Sequence, residues 1–221
     1  MGNDIPVKRV LVTSGPTKAR IDRIRYIANT SSGVLGAEIV KALVQRGTSV
    51  VHVFGEGSAT PSLDDSPDLE SICVSTVDDL VRTVGMLADR GDISAVVHAM
   101  AVLDYVPESY EDAKKPSGQD HWDIRLVKTP KAIALIRDRM PGACMVGFKL
   151  ESGITVDELT ERAGALLGKY NLDLVVANLL ERVSVDRHEA LAVGPGKQIL
   201  GEFTTKTGIA GFLAEFIGEN L

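Results

Sequence analysis

The chain reads as a doubly wound α/β protein: a mostly parallel, Rossmann-like sheet with helices on both faces and a C-terminal edge hairpin. Short apolar runs such as Val10-Leu11-Val12-Thr13 and Leu174-Val175-Val176-Ala177 lack polar alternation, the pattern of parallel strands buried on both faces. Segments of helical period separate them, in a β-α-β-β-α-β order over the first half. Clusters of Gly, Pro, Ser and Asp mark the joints.

Residues 8–13 give the first strand, and residues 14–33 a long loop. Leu35, Ile39, Leu43 and Val44 recur at helical spacing, with Gly47 as the stop. Thr30, Ser31 and Ser32 are candidate N-caps for that helix. A second strand covers residues 50–54, residues 55–68 are loop, and a third strand covers residues 72–74. Thr76 caps a helix over Val77, Leu80, Val81, Val84 and Leu87, and residues 95–99 give a fourth strand. Residues 107–121 are polar and read as a mobile flap, followed by a strand at residues 123–127. Thr129-Pro130 reads as a cap followed by a first-turn proline. Residues 144–148 are a strand, and Thr155 with Glu158 forms a capping box for a helix reaching Tyr170. The strand after it stops at Asn178. Residues 190–193 and 198–203 flank Gly194-Pro195-Gly196 as an edge hairpin, and residues 208–221 form the last helix.

A chain of 221 residues fits one domain, residues 1–221, that buries roughly 70% of its unfolded surface. Cys73 and Cys144 sit in apolar runs and read as reduced core residues, which points to a cytoplasmic protein. The opening residues do not read as a signal peptide. Apolar runs fall short of the ~20 residues that span a bilayer, so no membrane partner is expected. A net charge of −6 argues against nucleic acid as a partner. An anionic ligand would therefore need cations gathered locally.

Such gathering is visible around Arg25-Tyr26-Ile27-Ala28-Asn29-Thr30-Ser31-Ser32-Gly33. A helix N-terminus attracts phosphate or carboxylate, Arg25 can fork onto an anion, and Asn29 both donates and accepts. Residues 14–33 and 98–104 both leave carboxyl ends of strands, where doubly wound sheets bind ligands. Asp104 could meet magnesium, a ribose hydroxyl or a cation of the flap, or could simply cap a turn. Lys114 and Lys115 on the flap, with Lys128 and Lys131 around a helix start, make a polyphosphate cradle. By themselves, His98 reads as a rim or core residue, Phe148 as core and Asn178 as a loop holder.

Together these segments resemble the phosphopantothenate–cysteine ligase (phosphopantothenoylcysteine synthetase) family. The matching pieces run in family order. They are Thr13-Ser14-Gly15-Pro16-Thr17, the segment from Ile21-Asp22 to Gly33, Ala101-Val102-Leu103-Asp104-Tyr105, Lys128-Thr129-Pro130, Val146-Gly147-Phe148-Lys149, and residues 171–178. The resemblance implies a bacterial, stand-alone synthetase without a flavin domain. It joins 4′-phosphopantothenate to L-cysteine in coenzyme A biosynthesis, through an acyl-cytidylate made from CTP, with ATP as the alternative nucleotide and Mg²⁺ as cofactor. It also implies a homodimer in which residues 25–29 lie near the partner's site.

Carried over by position, Asn29, Lys114 and Arg25 are catalytic. His98, Ala99, Met100, Ala101, Asp104, Lys114, Pro130, Lys131, Ala132, Ile133 and Phe148 bind nucleotide, and Phe148 packs near the cytosine. Arg25, Asn29 and Lys115 bind substrate, and Asp104 is the residue nearest to a magnesium ligand. The chain departs from the family pattern at Ala113-Lys114-Lys115-Pro116, where Lys-x-Lys-Lys is usual. It departs again at Leu166 and Tyr170, where lysines are expected, and at Asn178-Leu179, where Asn-Asp is usual. Two other readings compete: an NAD(P)-dependent reductase, suggested by Tyr110-x-x-x-Lys114, and a non-catalytic nucleotide-binding subunit of the same fold.

Overall fold

The computed structural model describes residues 8–63, 66–114, 116, 118–184 and 186–221. Its centre is an eight-stranded sheet. In chain order the strands are β1 (Arg9–Ser14), β4 (Ser49–Gly55), β5 (Leu69–Val74), β6 (Ile93–His98), β9 (Cys144–Glu151), β10 (Leu174–Leu179), β11 (Ala190–Val193) and β12 (Ile199–Phe203). Across the sheet the order is β12-β11-β10-β9-β6-β1-β4-β5. The pairs from β5 to β10 are parallel, and β11 is antiparallel to both β10 and β12. The doubly wound sheet with its edge hairpin is therefore the architecture formed.

Alternate residues of each strand feed two cores. Val10, Val12, Leu174 and Val176 pack with α1 (Val34–Gln45) and α5 (Lys206–Glu219). Leu11, Val51, Val96 and Val175 face α2 (Val77–Arg90), α3 (Ala132–Arg139) and α4 (Val156–Tyr170). Because both faces are covered, the strands read as unbroken apolar runs rather than alternating ones.

Two small hairpins stand outside the sheet. One pairs β2 (Lys18–Arg20) with β3 (Tyr26–Ala28), and the other pairs β7 (Tyr105–Pro107) with β8 (Leu126–Lys128). The loop expected at residues 14–33 thus contains a hairpin. Asp22 makes its turn by accepting from the Ile24 and Arg25 amides at 2.8 and 2.7 Å. The strand expected at residues 123–127 is displaced to β8 and joins β7 instead of the central sheet. Ala19, Val77 and Leu103 pin these hairpins to the body. Residues 110–114 of the flap are not helical, so Tyr110 and Lys114 do not share a helix face as reductase chemistry would need.

Other local expectations are corrected. The N-cap of α1 is Gly33, at φ 76°, and not Thr30, Ser31 or Ser32. Thr129 does not cap α3; its hydroxyl donates to the Leu103 carbonyl at 2.6 Å, and Lys131 takes the cap position. The β10 strand runs through Asn178 to Leu179. Cys73 is exposed, since β5 is an edge strand, and Cys144 is half-buried. The capping boxes at Thr76 and Thr155 both form. Among the described residues, no helix is long and apolar enough to cross a membrane.

Candidate active site

The strand order reverses between β1 and β6: the chain first builds outward through β4 and β5, then returns to the other side of β1. A crevice forms at such a switch point, outside the carboxyl ends of the strands. Here the two strand exits stay zipped beyond the sheet. The Ala99 amide donates to Thr13 O at 2.9 Å, and the Ala101 amide donates to Gly15 O at 2.8 Å. Gly15, at φ 75°, lets the β1 exit take this path, and Gly55 lets the end of β4 pack against it; a Cβ on Gly55 would lie 2.0 Å from Pro16 O.

Two cavities open along this crevice. The smaller, about 340 Å³, is walled by His98, Met100, Ala101 and Asp104 on one side and by Pro130, Lys131, Ala132 and Ile133 on the other. Phe148, Lys149, Leu150, Leu166 and Tyr170 complete it. The larger, about 640 Å³, runs from Ser14 and Gly15 past residues 30–36 at the start of α1 to Asn178, His188 and Lys206. Met100, Ala101, Phe148 and Leu150 line both cavities and form the ridge between them.

Nearly all the residues expected around a nucleotide meet in the smaller cavity; Ala99 lines the larger one, and Lys114 lines neither. Lys131 Nζ donates to the Asp104 carboxylate at 2.6 Å across the mouth, and the Thr129 amide holds the Asp104 carbonyl at 2.9 Å. Lys149 pairs with Glu151 at 2.8 Å, leaving the floor a mixed-charge surface. Leu166 and Tyr170 occupy this wall where the family pattern would carry lysines. Among the described residues, no group of three or more His, Cys, Asp or Glu side chains is placed to hold a metal.

Asn29 stands over the ridge. Its side-chain amide donates to the Ala101 and Val102 carbonyls at 3.3 and 3.1 Å, so β3 leans against the exit of β6. Neither Asn29 nor Arg25 lines a cavity itself; Asn29 reaches the ridge only through these bonds, and Arg25 does not. Arg25 is forked onto the fully buried Asp22 carboxylate and lies 4.3 Å from the Trp122 ring centroid. Lys114 is exposed on the flap, and Lys115 lies outside the described residues.

His98 is buried, with Nδ1 2.6 Å from Thr13 Oγ1, and burial lowers its pKa to about 4. It is a neutral wall residue at working pH and carries no charge for phosphate. Phe148, read alone as core, is half-buried and presents its ring to both cavities. Sequence reasoning did not find Ser184, His188 and Lys206. They come from the connection between β10 and β11 and the start of α5, about 80 residues or more beyond Asp104, and only the return of the chain brings them near α1.

Residues 5–219 match the family model of the DNA/pantothenate metabolism flavoprotein C-terminal domain. The chain belongs to this family. It is 34% identical over 187 residues to the coenzyme A biosynthesis bifunctional protein CoaBC of Thermococcus kodakarensis, spanning 85% of this chain and 45% of that protein. The chain thus spans less than half the length of the curated relatives it matches. The crystal structure of the DNA/pantothenate metabolism flavoprotein from Streptococcus pneumoniae superposes with a TM-score of 0.85 at 30% identity, over 96% of this chain and 99% of that one. Cab2 with the H337A substitution, crystallised with phosphopantothenate-cysteine, shares the fold at 21% identity, with a TM-score of 0.74 over 97% of this chain and 87% of that one.

Proposed function

We propose that this domain ligates 4′-phosphopantothenate to L-cysteine, activating the acid with CTP. A free carboxylate resists amines because its charge is delocalised and oxide is a poor leaving group. One carboxylate oxygen attacks the α-phosphorus of CTP, and pyrophosphate departs. The cysteine amine then attacks the acyl carbon, CMP leaves, and the amine gives up a proton as the amide forms.

The observation that carries this reading is the pair of cavities sharing one ridge beneath Asn29. A two-substrate activation needs the carboxylate and the α-phosphate in contact, and each substrate needs its own compartment. The smaller cavity suits the nucleotide: Phe148 offers a ring, the start of α3 offers amide donors, and Lys131 supplies charge. The larger cavity then takes the pantothenate arm, with its carboxyl end toward Met100 and Ala101. Asn29, once released from the Ala101 and Val102 carbonyls, donates to the acyl oxygen as it gains charge. Lys114 enters from the flap to neutralise the departing pyrophosphate.

Asp104 alone is too few ligands for a protein-built magnesium site, which suits an ion held mainly by nucleotide phosphates. When bound, Mg²⁺ would neutralise phosphate charge, with Asp104 as its protein carboxylate. The exposed Ile24, Tyr26, Tyr105 and Leu126 of the two hairpins support a homodimer closing over the Arg25–Asn29 segment. Mixing 4′-phosphopantothenate, cysteine and Mg²⁺ with CTP or ATP tests the function. Pyrophosphate release and a product of phosphopantothenoylcysteine mass are expected with CTP; no product with either nucleotide would refute it.

A further inference from the structure

Asp22 and Arg25 belong to the turn between β2 and β3, and their pairing fixes more than the turn. A fully buried carboxylate is tolerated only when it is paired and hydrogen-bonded. Here the Ile24 and Arg25 amides donate to one oxygen, and Arg25 Nε donates to the other at 2.8 Å. The guanidinium is thereby held in one plane, and a planar cation stacks well on an aromatic face. Trp122, the one tryptophan of the chain, supplies that face: the guanidinium carbon lies 4.3 Å from its ring centroid.

Trp122 belongs to the flap. The flap is the loop of the β7–β8 hairpin, whose ladder continues outward through the Glu108 amide on Arg125 O at 3.0 Å. Beyond that bond both arms of the loop meet the β2–β3 turn. On the outgoing arm the Glu111 amide donates to Ile21 O at 3.1 Å, a parallel bridge sets Glu111 beside Asp22, and Asp112 pairs with Arg23 at 3.5 Å. On the returning arm Trp122 rests on Arg25. The Arg23–Asp112 pair is exposed on both sides and contributes little. The main-chain bond and the stacked ring carry the contact. Lys114 lies between these two points of attachment, two residues beyond Asp112.

We propose that Trp122 is a positioning residue: stacked on the Arg25 that Asp22 locks, it clamps the flap to the β2–β3 turn and so sets the place from which Lys114 reaches the nucleotide phosphates. The inference rests on the ligase reading and on the role given there to Lys114. It also changes the part played by Arg25, which the family resemblance makes catalytic. The Arg25 side chain lines neither cavity and serves the reaction through the flap. Asn29 follows β3 out of the same turn, so one hairpin places both the cation of the first step and the amide of the second.

The test follows single-turnover pyrophosphate release from 4′-phosphopantothenate, CTP and Mg²⁺, without cysteine. It compares the wild type with Trp122→Ala, Trp122→Phe, Lys114→Gln and the Trp122→Ala/Lys114→Gln double variant. Trp122→Ala should slow release by about 10- to 100-fold, the scale of a reacting group misplaced by a remote change. Trp122→Phe keeps a ring face and should stay near the wild-type rate. On the Lys114→Gln background, Trp122→Ala should cost no more than about twofold, because its effect passes through Lys114. Equal slowing in both backgrounds, no slowing in either, or a Phe variant as slow as the Ala variant overturns the clamp and leaves the ligase reading standing. A wild type that releases no pyrophosphate with CTP or ATP overturns both. If Trp122→Ala does not fold, Arg25→Lys takes its place, since an ammonium still neutralises Asp22 but lacks the planar face. Slowing of pyrophosphate release that disappears on the Lys114→Gln background supports the clamp. An additive loss, or slowing only of the cysteine step with preformed acyl-nucleotide, overturns it.

Discussion

Asn29 spends its amide on two backbone carbonyls in the unliganded fold, at a point where the two cavities join. A side chain parked on weak, exposed acceptors is easily redirected, which suits a group that must donate only when an acyl oxygen arrives. Asn29→Asp would present an acceptor and a charge instead. Acyl-nucleotide should then accumulate after pyrophosphate release, visible by mass spectrometry of quenched mixtures; full turnover would remove Asn29 from the second step. Lys114 stands off both cavities on the flap, so its role depends on flap closure. Lys114→Gln should slow pyrophosphate release by about 10²–10³-fold, the scale of one lost electrostatic donor. An unchanged single-turnover rate would move that charge elsewhere. At this scale the sequence was legible where family motifs are contiguous, as at Asp104 and residues 130–133. It was silent on Arg25, whose guanidinium is engaged by Asp22 and Trp122, because nothing local reports that Asp22 is fully buried.

The regular elements were readable from apolar runs and caps, since Thr76 and Thr155 announce α2 and α4 by simple spacing. The two small hairpins were not. With three residues per strand they leave almost no periodic signal, and their pairing is decided by packing on Ala19, Val77 and Leu103. These hairpins carry exposed Ile24, Tyr26 and Tyr105, apolar groups that a lone protomer would leave in water. Sedimentation should therefore find a dimer at micromolar concentration. Ile24→Glu should shift it toward monomer, and a wild type that is monomeric throughout would contradict the proposed assembly.

For the whole molecule, the reversal of strand order at β1 and β6 places the crevice, and the fold buries histidines beside it. His52 and His98 both have pKa values lowered by burial from 6.5 to about 4. The unfolded chain binds those protons more readily. Their contribution to stability is therefore complete above pH 6.5 and is lost as pH falls from 6.5 toward 4. Denaturant titrations should show a loss of about 2 kcal/mol per histidine between pH 7 and pH 5; a flat profile would mean that the rings titrate in the fold as they do in the unfolded chain.

The central claim is that the carboxylate becomes reactive by taking the nucleotide's α-phosphate where the two cavities meet. Turnover of 4′-phosphopantothenate labelled with ¹⁸O in its carboxylate follows that atom directly. One labelled oxygen per turnover is predicted in the phosphate of CMP. Label in orthophosphate or pyrophosphate, or none in CMP while product forms, would contradict it.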